Sequence, residues 1–323
     1  MLDSPHPRYF SSEELDSHLT ILLYHGVTDS KSKGIENFSG KHIHAKEFSR
    51  QMLFIKENCN ILSLDDIVDI KTRKDKWPKK SVAVTFDDGF KNNYITAAPI
   101  LKDLEIPATF YVCSGMIETN KMFWVDKIED CINLTKNNEI NILLDEQTHF
   151  KLDTKAEKIF AVNHIKSFCK MVDVPTKERV LESLEKLTDV KPKTSNADNY
   201  QMMSWAELKS LNDDPLFTIG GHTLYHDIMS AHDDEEKMFK DIELSKGLLE
   251  FNLNQRIIHF SYPEGQKNHF NQKVIDKLKD SNIVCSPSAI HGLNSDSNDL
   301  FNLYRIMPGF MNTPFPFDKF ERK

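Results

Sequence analysis

An α/β fold is predicted by three observations. Short apolar runs of strand length recur along the chain, each followed by a stretch with helical spacing. Three of these runs end in polar clusters: Asp87-Asp88, His222 with His226, and Tyr262-Pro263-Glu264-Gly265. In parallel α/β folds, functional groups gather at the C-terminal ends of strands. The pattern breaks once, between residues 121 and 200, where Lys-, Glu- and Asn-rich helical segments carry no alternating strand. The prediction is therefore a parallel sheet or barrel carrying a mostly helical insertion on its rim.

A chain of 323 residues can form one large α/β domain or two ordinary ones. With 41 basic and 49 acidic residues the net charge is −8, which disfavours a general nucleic-acid partner. No apolar run reaches the length of a transmembrane helix, so no integral membrane segment is expected. Residues 1–7 have neither a basic region nor an apolar one, so no signal peptide is expected. Cys59, Cys113, Cys131, Cys169 and Cys285 lack CxxC spacing and are expected as reduced thiols. The expected compartment is the cytoplasm. Nothing in the sequence indicates an oligomeric state.

Taken in order, residues 1–18 are polar and read as a loosely packed arm. Residues 19–24 form a first buried strand ending on His25-Gly26, which makes His25 a pocket candidate. Residues 45–58 have helical spacing at Phe48, Met52 and Ile55; 61–64 is a short strand, and Ser63 with Asp66 opens a helix to residue 70. The run 82–86 is apolar almost throughout, as in a buried parallel strand. Residues 92–104 follow as a helix that Pro99 can kink, and then a strand over 108–113 completes a βαβ unit.

Within the insertion, helices are expected near 123–134, 155–171 and 177–187, with a hairpin over 140–144 and 148–152. Phe123-Trp124-Val125-Asp126 brings an indole and a carboxylate to its entrance, and Trp124 is a candidate for stacking on a substrate. The alternation resumes with a capped helix from Ser204 to residue 211, a strand over 216–219 and an amphipathic helix over 235–251. A strand over 256–261, a helix over 270–280 and short strands at 283–285 and 303–306 finish the chain.

Two adjacent carboxylates at the mouth of a buried strand resist joint ionisation, and a bound cation relieves that penalty. His222 and His226, four residues apart, share one face if they lie on a helical turn. With Asp88 they make a two-His, one-Asp set that leaves positions open, as catalytic metal sites do. A divalent cation there would polarise a carbonyl and acidify a bound water. Asp87 would then be free to accept a proton. Backbone amides of the 262–265 turn would stabilise an oxyanion. The chemistry read from these residues is metal-assisted hydrolysis of an amide or ester.

TFDDG, HTLYH and YPEG, in this order, resemble the motifs of the NodB-homology polysaccharide deacetylases, carbohydrate esterase family 4. LLYHGV and NLYRI are similar to flanking motifs of that superfamily, and the likeness covers residues 19–118 and 202–309. The resemblance implies a distorted (β/α) barrel with fewer than eight units, formed by residues 19–120 and 201–323, with 121–200 as the insertion. It implies Zn2+ or a similar divalent ion (Co2+ or Ni2+ among them) and N-deacetylation of an amino sugar. Asp87 would be the general base; Asp88, His222 and His226 would hold the metal, and the turn at Pro263–Gly265 would line the site.

The chain also departs from the pattern. Where many members carry an Arg before the Pro of the third motif, this chain has Ser261, and Arg305 is expected to supply the guanidinium from another strand. Glu264 stands where an aromatic residue is common. The family's late general-acid histidine has no clear match; His25 and His291 are the candidates, with His25 preferred because it ends a core strand. The expected substrate is an N-acylated sugar, nucleotide- or lipid-linked or part of a glycan intermediate in surface-polysaccharide assembly. Arg305, Lys91 and Lys267 are candidates for a local basic patch toward any phosphate. Alternative readings are an N-deformylase or amidase on another N-acyl substrate, and a glycan-binding module that has lost turnover. A two-His-one-carboxylate iron oxygenase leaves the second aspartate unexplained.

Overall fold

A computed structural model describes residues 10–231 and 234–320. Of the arm expected over 1–18, residues 1–9 lie outside the described residues. The remainder is a packed helix, α1 (Ser12–Ser17), opened by a reciprocal Ser11–Glu14 capping box and anchored in the core by Leu15.

The first half of the chain builds the sheet. It contributes β1 (Thr20–Tyr24), β2 (Gly26–Thr28), β3 (His42–His44), α2 (Ala45–Asn58), β4 (Asn60–Ile61), α3 (Leu64–Arg73) and β5 (Ser81–Phe86). The helix expected over 92–104 begins as a π-helical turn, Asn93–Ala97, and becomes α-helical in α4 (Ala98–Asp103). Pro99 lies inside this continuous helical run, directly after its π-helical turn, with helical backbone at Ala97 and Ala98 before it. β6 (Ala108–Val112) follows.

The insertion comprises α5 (Trp124–Leu134), the antiparallel hairpin β7 (Glu139–Leu143) and β8 (Gln147–Lys151), α6 (Lys155–Cys169) and α7 (Val174–Thr188). α7 starts earlier than its apolar spacing suggests, because Asp173 caps it by accepting from the Thr176 amide. These elements bury a cluster of their own, including Ile132, Ile142, Phe150, Val162 and Leu184. The chain then returns through α8 (Trp205–Asn212), β9 (Phe217–Gly221), α9 (Glu235–Leu253) and α10 (Gln272–Asp280).

The sheet is parallel, in the order β1-β5-β6-β9, with β4 paired to the start of β5. Every residue of β1, β5 and β6 is buried, as expected of strands covered on both faces. The strands expected at 256–261, 283–285 and 303–306 are not regular strands. They are isolated parallel bridges: Gly221 to Phe260, His259 to Cys285, His291 to Arg305 and Leu22 to Ile306. Their backbone groups are nonetheless satisfied, as in the Ser261 amide on the Gly221 carbonyl at 2.9 Å and the Ile306 amide on Ile21 at 2.8 Å. Those bridges carry Ser261 and Arg305 to the same mouth at which β5 and β9 end.

Candidate active site

Just past β5 the backbone separates the two acids. The Asp87 amide continues the ladder by donating to the Tyr24 carbonyl at 2.9 Å. Asp88 and Gly89 then turn left-handed, at φ 80° and 91°. Such a conformation is costly at a non-glycine residue and recurs where a side chain must be aimed. As a result Asp87 faces Arg305, and Asp88 faces the two histidines.

His222 and His226 do not sit on a helical turn, as the i, i+4 spacing suggested. Residues 222–226 form a bent loop with Thr223 and His226 both at φ 63°. Neighbours hold the loop in place: the Leu224 amide donates to Asp241 Oδ1 at 3.1 Å, and the His226 amide donates to Thr223 Oγ1 at 3.1 Å. The loop still brings the imidazole centroids to 5.1 Å.

One ligand atom from each of Asp88, His222 and His226 lies within 4.8 Å of the others, and all three residues are buried. Asp88 Oδ1 is 3.6 Å from His222 Nε2 and 3.4 Å from His226 Nε2. His222 Nδ1 is 2.8 Å from the Ser261 carbonyl, which can only accept, so the proton sits on Nδ1 and Nε2 presents a lone pair. Asp88 Oδ1 and His222 Nε2 are buried and have no hydrogen-bond partner. Burial holds both histidines below their ordinary pKa. Burial raises Asp88, with Asp87, Asp126 and Glu264 pushing the same way against Lys41. Convergent lone pairs without a donor between them fit a divalent cation.

Arg305 closes the site from the opposite end of the chain. It is buried, and its Nη1 and Nη2 donate to Asp87 Oδ1 and Oδ2 at 2.7 Å each. Its Nε donates to the Ser288 carbonyl at 2.6 Å, and Nη2 reaches Ser261 Oγ at 3.2 Å. Burial raises the Asp87 carboxyl, but Arg305, His222 and His25 outweigh it and hold it at about 2. Asp87 Oδ2 also lies 3.9 Å from His222 Nε2, so the held carboxylate borders the ligand set. The expected guanidinium substitution matches this geometry. His25 lies in the field of Asp87, His222, Lys41 and Arg305; burial takes it down to about 3, and its Nδ1 has no partner. His291 is exposed and stacks on Phe10 at 5.7 Å.

Other expected residues play different parts. Trp124 is buried in the insertion's cluster and donates its indole N–H to the His226 carbonyl at 3.3 Å, so it has no free face for a substrate. The ring of Tyr262 stacks on Phe270 at 3.8 Å and its hydroxyl donates to the Phe301 carbonyl, which makes the side chain a core element. Pro263 and Gly265 are buried in the turn. Gly265, at φ 51°, has no room for a Cβ, which would meet the Ala289 amide nitrogen at 2.6 Å. Glu264, at φ 58°, pairs with Lys170 of the insertion at 2.6 Å. Of the residues expected to form a basic patch, Arg305 is spent on Asp87 and Lys91 pairs with Glu207 at 3.3 Å, while Lys267 is exposed. Sequence reasoning missed Lys41, which binds Asp126 at 2.5 Å, lies 4.7 Å above the Phe90 ring and acts on Asp88. It stands in a polar loop without periodicity, so no signal marked it.

A parallel α/β sheet with an Asp-His-His set and a guanidinium-held aspartate at its mouth defines a hydrolase-type site. The chain belongs to the polysaccharide deacetylase family, whose model matches residues 74–165 and 173–284. Deacetylases of this family are metal-dependent, in keeping with the Asp88, His222 and His226 set. Over 160 residues the chain is 31% identical to a Staphylococcus aureus protein named poly-β-1,6-N-acetyl-D-glucosamine N-deacetylase, covering 43% of this chain and 54% of that one. A Staphylococcus epidermidis protein of the same name is 36% identical over 89 residues, 27% of this chain and 29% of its own. The chain thus spans about half the length, or less, of these curated relatives. Among solved structures, the Streptococcus pyogenes deacetylase PplD in complex with acetate is similar at TM-score 0.60 and 18% identity, over 95% of this chain and 98% of that one. IcaB from Ammonifex degensii is similar at TM-score 0.59 and 16% identity, over 92% and 95%. Both share the fold.

Proposed function

We propose that this protein is a metal-dependent hydrolase that removes the N-acetyl group from an amino sugar within a glycan. The observation that carries the reading is the bidentate Arg305–Asp87 pair beside the unpaired ligand atoms of Asp88 and His222. The names of the staphylococcal relatives support β-1,6-linked N-acetylglucosamine as the first polymer to test and surface-polysaccharide biosynthesis as the setting. A distorted (β/α) barrel of fewer than eight units belongs to the same proposal. It is supported by the bridges from Gly221 through Phe260 and Cys285 and by the Leu22–Ile306 bridge that returns to β1. So does the division into an insertion over 121–200 and a catalytic unit on either side, supported by the insertion's own cluster.

Asp88, His222 and His226 would hold the ion, and two nitrogen donors with one oxygen favour Zn2+, with Co2+ or Ni2+ as alternatives. When bound, it supplies Lewis-acid polarisation of the acyl carbonyl and an acidified water. Asp87, kept ionised by Arg305, is the proton acceptor; Ser261 Oγ, at 3.3 Å from Oδ2, helps fix its orientation. His25, with an unpartnered Nδ1 in the field of Asp87, is the second group assigned to exchange a proton with the leaving amine. The backbone amides of the 263–265 turn would stabilise the developing oxyanion. Free thiols at all five cysteines support a reducing compartment, and a cytoplasmic location is proposed on that ground, to be checked by cell fractionation.

The deciding experiment measures acetate and formate release from a panel of N-acyl amino sugars (free, nucleotide-linked and polymeric), with and without chelator. Chelator-sensitive acetate release from a glycan is the expected result. Formate release alone would indicate a deformylase, and no release from any substrate would favour a binding module.

A further inference from the structure

The insertion is built on helices of its own, yet it touches two of the segments that carry the site, the histidine loop and the third-motif turn. From α5, the Trp124 indole N–H donates to the carbonyl of the ligand His226 at 3.3 Å. From α7, buried Lys177 pairs with Asp227, the next residue along the loop. From the C-cap of α6, Lys170 pairs with Glu264 of the third-motif turn at 2.6 Å. The first two contacts bear on the histidine loop. The third holds a turn whose consecutive residues Glu264 and Gly265 both have left-handed backbone, at φ 58° and 51°. On its far side that turn is tied by the Ala289 amide donating to the Gly265 carbonyl at 3.0 Å. The Glu264 carboxylate is only 17% exposed, and its charge is felt by both His226 and Asp88.

We propose that Lys170 is a positioning residue for the deacylation. By tying Glu264 it fixes the 263–265 turn against the Asp88–His222–His226 set, so the insertion adds a support to a site otherwise held by Asp241, Ser261 and Arg305. This rests on the reading of the site as a metal-dependent deacetylase. Lys170 is itself 36% exposed, and such a pair contributes little to folding, about 0.2–1 kcal/mol. Its effect is geometric: supporting groups that orient a ligand set alter metal affinity and turnover well beyond their share of stability.

The test compares the intact protein with Lys170→Met, Glu264→Gln, the double variant and Lys170→Arg. Zn2+ affinity is measured by competition with a chromophoric chelator, and kcat and KM on an N-acetylglucosamine oligomer. Lys170→Met is expected to lower kcat about tenfold and Zn2+ affinity about fivefold, with KM within about twofold and Tm within a few degrees. The double variant should be no worse than the poorer single one, and Lys170→Arg should recover most of the loss. Unchanged kcat and Zn2+ affinity in Lys170→Met would overturn the proposal. So would a raised KM with intact kcat, which would make Lys170 a substrate contact, or strictly additive losses in the double variant. If the unaltered protein released no acetate, the deacetylase reading would fail, while the Zn2+ comparison would still decide whether Lys170 supports the ligand set.

Discussion

Arg305 and Asp87 stand 218 positions apart in the chain and form two parallel hydrogen bonds of 2.7 Å, both partners buried. The fork geometry of a guanidinium matches a carboxylate in a way an ammonium does not. It orients both Asp87 oxygens and keeps the group ionised. Arg305→Ala is expected to lower kcat at least about 100-fold and, by stranding a buried carboxylate, to cost roughly 3–5 kcal/mol of stability. Arg305→Lys should retain the fold and only part of the rate. Steady-state kinetics with thermal unfolding separate the two effects; a variant Arg305→Ala with normal kcat would rule out this role.

Metal binding should be visible without turnover. Zn2+ at about 100 times its Kd stabilises the native state by roughly 2.7 kcal/mol, so Tm should rise on its addition. Asp88→Asn, His222→Ala and His226→Ala should each abolish most of that rise, whereas Asp87→Asn should keep it and lose activity. Calorimetry with and without Zn2+ checks this, and a Tm indifferent to the metal in the unaltered protein counts against the site.

The two candidate proton donors are separable. His25 shares the field of Asp87, His222 and Arg305, whereas His291 is exposed against Phe10. His25→Ala is expected to lower kcat on the order of 100-fold, within the usual range for acid–base groups, and His291→Ala to leave it within about twofold. The opposite ranking would move the acid to His291.

Asp241 links the histidine loop to pH. Burial raises its carboxyl to about 7, with Asp227 adding to the rise and the Leu224 amide opposing it. Between about pH 4 and 7 the native state therefore holds a proton that the unfolded chain has released, so this group's contribution to stability falls as pH rises through that window. Asp241→Asn keeps an acceptor for the Leu224 amide and removes the titration. Its stability relative to the unaltered protein should grow from pH 4 to 7 by on the order of 3 kcal/mol. Urea unfolding at several pH values measures the difference, and a pH-independent gap would disprove the linkage.

Much of the architecture is legible from local pattern. The nearly unbroken apolar run at 82–86 reads as a strand buried on both faces, and every residue of β5 is buried. Ser63 with Asp66 and Ser204 with Glu207 announce helix starts that the structure reproduces as reciprocal capping boxes. The double aspartate, the spaced histidines and the 262–265 turn point to metal chemistry through their coincidence at three strand ends, not through any one of them. Where local pattern misled, the cause was a contact from elsewhere. The 222–226 spacing suggested a helical turn, but the Leu224 and His226 amides, donating to Asp241 and Thr223, hold a bent loop instead. Trp124 looked available at the insertion's entrance, but hydrophobic burial and the His226 carbonyl claim both its face and its N–H.

Taken by itself, the sequence determined the parallel sheet, the helical interruption and the chemical identity of Asp87, Asp88, His222 and His226. Each of these is encoded within a few residues, by side-chain period or by donor type. Tertiary structure alone decided which nitrogen of His222 carries the proton, how Lys41 meets Asp126 and how the insertion reaches Glu264 through Lys170. Those relationships join positions tens to hundreds of residues apart. An ion pair or a shared proton depends on distances of a few ångströms that no local spacing encodes.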